Sequence, residues 1–422
     1  MIHLLRQSGF GLVIAYCLLR LYELLWAHTR FGFMLPLVML AAACYLIPRV
    51  AQLRQQGLKL TLGEQGVVLL FCLLLFSLAG QYAFVGSMTD QGGIDTFDYT
   101  VTLFVTNVFW LLAGASMSTR GLQHSTIRAV VLLGIVLVIL NNARGEDILF
   151  VDYGTILAES SLESLSHLLV AEFVVLIIFV CYASVRRLRV VVFGFGVLAL
   201  FMLTGRSSLY LTIFSVGAFE ILRGGTRNLS RAALSLIALA LVVIALFYAA
   251  LSTDVLDEDS KFVQQILFTE GVEEDRSYIE RQYISDNAPR YLPQQFLFGN
   301  PRLIAAHFGD IGSYLHNLLS AWQFFGFPVF ACMAGLLVAA CLRMKRVLNV
   351  ESGPLVVFGS LLLIYTVVSV VATKFVGFRL LWISIGFWML QPHLAYYREP
   401  TVRRRSRRRR GLKRSLRRLV GA

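Results

Sequence analysis

Three stretches of this 422-residue chain carry side chains able to hold an anion and move a proton. The first is LTGRSSLYLTIF, in which Thr204-Gly205-Arg206-Ser207 joins two apolar runs. The second is EEDRSYIERQYISDNAPRYLPQQFLFGNPRL, with Arg276, Arg281, Arg290 and Arg302 and with Tyr278, Tyr283 and Tyr291 among them. The third is SYLHNLLSAWQFFGFP, where His316 and Asn317 stand at the mouth of a long apolar run. Guanidinium groups stay charged and fork onto phosphate oxygens. Flat aromatic rings suit the faces of sugars. Imidazole titrates near neutral pH and can take a proton from a hydroxyl. Arg206 has a further asset. Ser207 and Ser208 are expected to cap the helix that follows, whose positive end then faces the same anion. Each residue also has a plainer reading. Arg206 can snorkel to lipid headgroups. Arg276 with Glu280, and Arg281 with Asp286, can form helix-surface pairs of about 0.2–0.5 kcal/mol. His316 can simply end a helix.

The elements that must position these groups are apolar. The sequence is 57% hydrophobic and 15% charged, with a mean hydropathy of +0.70, against about 25% charged in soluble domains. An all-α polytopic membrane protein is expected. Candidate spans lie near 8–27, 31–50, 65–86, 99–117, 126–142, 168–185, 188–204, 207–222, 232–251, 314–341, 353–373 and 378–395, about twelve in all. The two arms of the hairpin around Arg206 are each short for a hydrocarbon core of about 30 Å, so its tip is expected just below the outer surface. The domain plan is nine spans over residues 1–251, a large partly helical outer loop over 252–313, three spans over 314–395 and a tail over 396–422. Within the loop, Glu273–Asn287 reads as helical, ended by Pro289 and Pro293.

Charge orients the plan. Arg49, Arg54, Lys59, Arg120, Arg128, Arg186, Arg187, Arg189, Arg223, Arg227, Arg231, Arg343, Lys345 and Arg346 fall in alternate loops, and the tail after Tyr397 holds twelve basic residues. Basic loops stay cytoplasmic, which puts both termini inside and the loop outside. The outer segment from Ser252 to Gly312 has eleven acidic and five basic residues. The basic tail reads as a topology signal touching anionic membrane lipid; it lacks the aromatic platform of a nucleic-acid binder. All six cysteines fall in apolar runs, at spacings that suggest neither a metal site nor a disulfide. No metal and no cofactor is expected.

Other intramembrane charges need an account. Lys374 and Arg379 flank FVGF between the last two spans and break the basic-inside pattern; they either snorkel or contact phosphate. Glu172 lies about one turn inside the outer face and can belong to the same outer site. Arg20 with Glu23, together with Glu172 and Glu220, would serve the rival reading, a multi-span transporter or flippase. That class favours broken helices in matching halves, and none is evident.

In this order the hairpin, the loop arginine and FLFGNPRLIAAHFGDIGSYLHNLLSAWQFFGFPVF resemble the O-antigen ligase and O-antigen polymerase superfamily of bacterial envelope enzymes, over roughly residues 188–340. The resemblance implies a metal-independent, GT-C-like membrane glycosyltransferase in the bacterial inner membrane, working at the periplasmic face. Its donor would be a glycan on undecaprenyl pyrophosphate. Arg206 and Arg276 match the family's hairpin and loop arginines, which would bind the pyrophosphate, and His316 matches the family histidine, which would activate or orient the acceptor. Arg281, Arg290, Arg302, Asn317, Lys374, Arg379 and Glu172 are further substrate-binding candidates. The tip reads Gly-Arg-Ser where the family more often has Ser-Arg-Gly. The third stretch is closest to O-antigen or exopolysaccharide polymerases; the alternative is a ligase that moves the chain to lipid A core. Acceptor glycan, and chain-length regulator or export proteins, would be the partners.

Overall fold

The computed structural model describes residues 9–25, 34–56, 60–85, 96–123, 167–185, 189–202, 206–224, 276–302, 307–308, 315–349 and 353–391. Among these residues every regular element is helical. In chain order they are α1 (Gly9–Leu25), α2 (Met34–Gln56), α3 (Leu62–Gly80), α4 (Thr96–Ala115), α5 (Thr119–Gln123), α6 (His167–Ser184), α7 (Arg189–Met202), α8 (Arg206–Gly224), α9 (Arg276–Asn287), α10 (Ser320–Phe325), α11 (Phe327–Leu348), α12 (Pro354–Ala372) and α13 (Arg379–Leu390).

Among the described residues, four helical stretches are long and apolar enough to cross a membrane: Leu35–Gln52, Leu62–Phe84, Phe327–Leu348 and Pro354–Ala372. Tyr99–Ala115, Ala171–Ser184 and Arg379–Leu390 are apolar but shorter. The expected runs 126–142 and 232–251, and the tail 396–422, lie outside the described residues. These apolar helices are compatible with a membrane protein.

Local chemistry sets the ends. Thr61 and Glu64 cap each other's backbone at the start of α3, a reciprocal arrangement that satisfies two orphan donors. Arg49 of α2 then grips the Glu64 carboxylate with Nε and Nη2, the latter at 2.7 Å. The centre is aromatic: Tyr16, Trp110, Tyr365, Trp382 and Trp388 are all essentially inaccessible. α4 and α13 run side by side in the same direction. Leu103 lies beside Gly377 near one end, and at the other Gln391 donates to the carbonyls of Gly114, at 3.3 Å, and Met117, at 2.8 Å. Their backbones nearly touch, because Gly114 meets the Ile383 carbonyl and Gly386 meets that of Leu111; small residues permit such contact between membrane helices.

One expected span is corrected. The run 314–341 is not a single helix: it is a turn, then the six-residue α10, then α11. Gly326, at φ 86° and ψ 165°, separates the two in a conformation that is essentially glycine-only, and Pro328 follows. His316 therefore sits in a turn ahead of α10, not at the outer end of a spanning helix. A second correction concerns α8. It already begins at Arg206, so Ser207 and Ser208 lie inside its first turn rather than capping it from outside.

Candidate functional site

The expected hairpin is present as α7 and α8, with its tip at residues 203–205 outside the described set. Arg206 opens α8 and Arg276 opens α9; the side chains of Arg206, Arg276 and Arg281 lie outside the described residues. Two residues beyond Arg206, Ser208 is fully buried. Beside it is the most charged interior cluster of the described chain. Glu172 of α6 accepts from Arg379 at 3.3 Å and pairs with Lys374 at 3.7 Å. The carboxylate and the ammonium are nearly inaccessible, with side-chain exposures of 8% and 10%, while Arg379 is 26% exposed.

The helices explain why these three meet. Lys374 follows the last turn of α12, and its N–H donates to the Ser369 carbonyl at 2.8 Å; a helix C-terminus welcomes a cation. Its ammonium also lies 5.7 Å from the centre of the Phe378 ring. Arg379 is the first residue of α13, where the dipole repels a cation. Glu172 offsets that repulsion. Both cations turn onto Glu172.

Among the described residues the cluster contains two cations and one carboxylate, one positive charge in excess. Around it, Arg379 Nε is buried without a hydrogen-bond partner, and the hydroxyls of Tyr365, Ser208 and Ser369 are buried close to one another. The Tyr365 hydroxyl faces Ser208, Ser369 and Glu172, and Tyr16 lies against Arg379. Surplus positive charge with an unused N–H beside buried hydroxyls is anion-binding chemistry.

The His316 turn is built by backbone bonds. The Leu315 N–H donates to Gln323 Oε1 at 3.0 Å, and Gln323 Nε2 donates to the Pro301 carbonyl at 3.3 Å. The Asn300 N–H meets the Gln323 carbonyl at 2.7 Å, and the Phe327 N–H meets that of Phe296 at 2.8 Å. These bonds seat the FLFGNP turn on α10 and α11. From the far side, Gln81 donates to the carbonyls of Phe298 and Phe324 at 2.8 and 2.6 Å, where α3 passes into a π-turn over Gln81–Val85.

The loop helix packs on the same turn. Ile284, Ala288 and Leu292 share a small apolar cluster with Leu315, which adjoins His316. As expected, an α-helix ends at Asn287, but the chain does not leave helical geometry there: a 3-10 segment, Ala288–Gln295, continues through both prolines. Tyr291 stacks on His307 at 3.9 Å, and Arg290 lies over Tyr291 at 4.9 Å from its centre. Asn317 is used structurally, its Oδ1 accepting from the Leu319 N–H at 2.9 Å. Arg302 is half-buried, its N–H bonded to Asn300 Oδ1 at 3.0 Å.

One side chain joins the two regions. Ser320 Oγ donates to the Asn317 carbonyl at 2.7 Å and accepts the Val376 N–H at 2.7 Å. The turn that holds His316 is thereby fixed to the turn that holds Lys374. Sequence reading missed Ser320, Gln323, His307 and Tyr365. The signal was there for Gln323 and Ser320, polar residues inside an apolar run that must be hydrogen-bonded if buried.

Three arginines at the borders of the basic loops lie at the opposite end of the bundle. Arg49 is bound to Glu64 there, Arg343 to the carbonyls of Trp388 and Gln391, and Arg189 to that of Tyr182. Glu220, a candidate of the transporter reading, accepts from the Tyr182 hydroxyl at 2.8 Å. No family model, no curated protein and no solved structure matches the chain.

Proposed function

We propose that the chain is an integral-membrane glycosyltransferase that moves a glycan from undecaprenyl pyrophosphate to an acceptor hydroxyl at the periplasmic face of a bacterial inner membrane. A repeat-unit polymerase is the reading preferred on the sequence resemblance, and an O-antigen ligase acting on lipid A core is the other member of the class. The observation that carries the proposal is the Ser320 bridge. It links the turn of a titratable imidazole to a buried cluster with one cation in excess.

In the proposed reaction the acceptor oxygen forms a bond to the anomeric carbon as the carbon–oxygen bond to pyrophosphate breaks. His316 takes the acceptor proton. The leaving diphosphate keeps the electron pair, and Arg206, Arg276, Lys374 and Arg379 stabilise its charge. Arg281, Arg290 and Arg302, with the neighbouring aromatic rings, would hold the donor glycan. Glu172 would order the two cations, and Asn317 would shape the turn.

Gene deletion with glycan analysis tests the class and separates its members. Single repeats left on lipid A core mark a polymerase, and polymer stranded on undecaprenyl pyrophosphate marks a ligase. Arg206→Ala and Arg276→Ala should abolish transfer in a chain that still inserts into membrane. Unchanged long-chain polysaccharide from both variants would refute the assignment.

A further inference from the structure

At the end opposite the Glu172 cluster, α2, α4 and α13 part around a cavity of about 210 Å³ whose lining includes Cys44, Pro48, Arg49, Gln52, Ser116 and Gln391. Its polar groups are unbalanced. Gln391 is 1% exposed, and its Nε2 is committed to two backbone carbonyls. That fixes the amide so that Oε1 must be the free end, and Oε1 is buried with no partner. Ser116, 5% exposed, likewise has a buried hydroxyl without a partner. Pro48 lies inside α2 and has no N–H to give the carbonyl of Cys44, four residues back.

The cavity therefore offers three acceptors: Gln391 Oε1, Ser116 Oγ and the Cys44 carbonyl. Among the described lining residues it offers no spare cation. Arg49 is spent on Glu64 through two nitrogens, and its third reaches Gln52 Oε1 at 3.4 Å. A ligand that fits must bring donors. The flank of α2 beside the cavity is apolar and open: Leu46, Ile47 and Val50 are 51%, 44% and 48% exposed. Arg54, one turn further along α2, is exposed as well. A small donor-bearing head, an anion within reach of an arginine and an apolar body describe one amphiphile.

We propose that this cavity, between α2, α4 and α13, binds the primary ammonium of a phosphatidylethanolamine-type lipid, with its three N–H groups on Gln391, Ser116 and the Cys44 carbonyl. The phosphate lies toward Arg54, and the acyl chains lie along Leu46, Ile47 and Val50. The inference rests on the helices being embedded in a bilayer and not on glycan transfer.

The test compares two lipids of equal charge. The purified full-length chain in detergent is titrated with phosphatidylethanolamine or phosphatidylcholine, and bound lipid is counted by native mass spectrometry. Choline is too methylated to donate, so the ethanolamine lipid should bind about tenfold tighter, the factor that one to two net hydrogen bonds supply. Pro48→Ala restores an N–H for Cys44, and Ser116→Ala deletes an acceptor. Each should reduce the preference, and the pair should remove most of it; thermal unfolding checks that both variants are folded. Equal binding of the two lipids by the unaltered chain would overturn the proposal. So would a preference untouched in the folded double variant. Loss of lipid preference with glycan transfer intact would leave the enzymatic reading standing, which keeps the two proposals separable.

Discussion

Replacing Glu172 with Gln keeps the shape of the side chain and removes the single negative charge from a buried cluster of three. At an effective dielectric constant of about 20, unit charges 3.3 and 3.7 Å apart attract by about 5 and 4.5 kcal/mol. Most of that is offset by desolvation of all three groups and by repulsion between the two cations. What remains on deletion is the cost of leaving cations buried without a counter-charge, about 3–5 kcal/mol for a fully enclosed pair. Arg379 is 26% exposed, so water screens part of its share and the lower figure, about 3 kcal/mol, is expected. Graded unfolding in mixed micelles, followed by tryptophan fluorescence, measures it. Adding Lys374→Met to Glu172→Gln should restore about half of the loss, because one of the stranded charges is gone; the two losses should not add. A Glu172→Gln chain as stable as the original would show that the carboxylate does not hold the cluster. Strictly additive losses would show the same.

Three further outcomes follow from the site geometry. His316→Ala should lower turnover by about 10²–10⁴ while donor affinity stays nearly unchanged; single-turnover and binding measurements together check this, and a pure affinity loss would exclude a role as base. Ser320→Ala strands the Val376 N–H, whose acceptor lies 2.7 Å away, at a cost of about 1–3 kcal/mol, and should increase hydrogen exchange at Val376. Gly326→Ala puts a Cβ against the Leu297 carbonyl at φ 86°. It should cost about 1–3 kcal/mol in backbone strain alone, read as a fall in the unfolding midpoint with loss of activity.

Much of the helical plan was legible because apolar period and loop charge are strong local signals. α1, α3, α4, α6, α7, α8, α12 and α13 begin and end within a few residues of their expected places. The break at Gly326 was less visible. Its neighbours Phe325 and Phe327 are as apolar as any spanning residue, and Gly326 with Pro328 was the only local mark of the interruption. The site was legible as a set of members rather than as a geometry. Glu172, Lys374 and Arg379 each stood out as charges where lipid was expected, but the residues that join them stand far apart in sequence. Pairing across 207 positions leaves no local trace. Tyr365 was hidden for another reason: its amphipathic ring is at home in an apolar helix, so its presence alone says little.

Under the proposed glycan transfer, the resident carboxylate also bears on how the diphosphate site turns over. A diphosphate held by bare cations in a water-poor pocket would bind as tightly after reaction as before, and uniform binding does not accelerate chemistry. Glu172 keeps Lys374 and Arg379 ordered when the site is empty, and it leaves only one positive charge to attract a ligand. Charge that develops on the leaving oxygen can then draw the two cations away from the carboxylate, so that the strongest contact forms late. On this view Glu172→Gln has a second consequence beyond stability. With two uncompensated cations, the diphosphate product should bind tighter and leave more slowly, so turnover falls while affinity for undecaprenyl pyrophosphate rises. A variant that lost both affinity and turnover would place Glu172 among the groups that contact substrate, and the counter-ion role would be wrong.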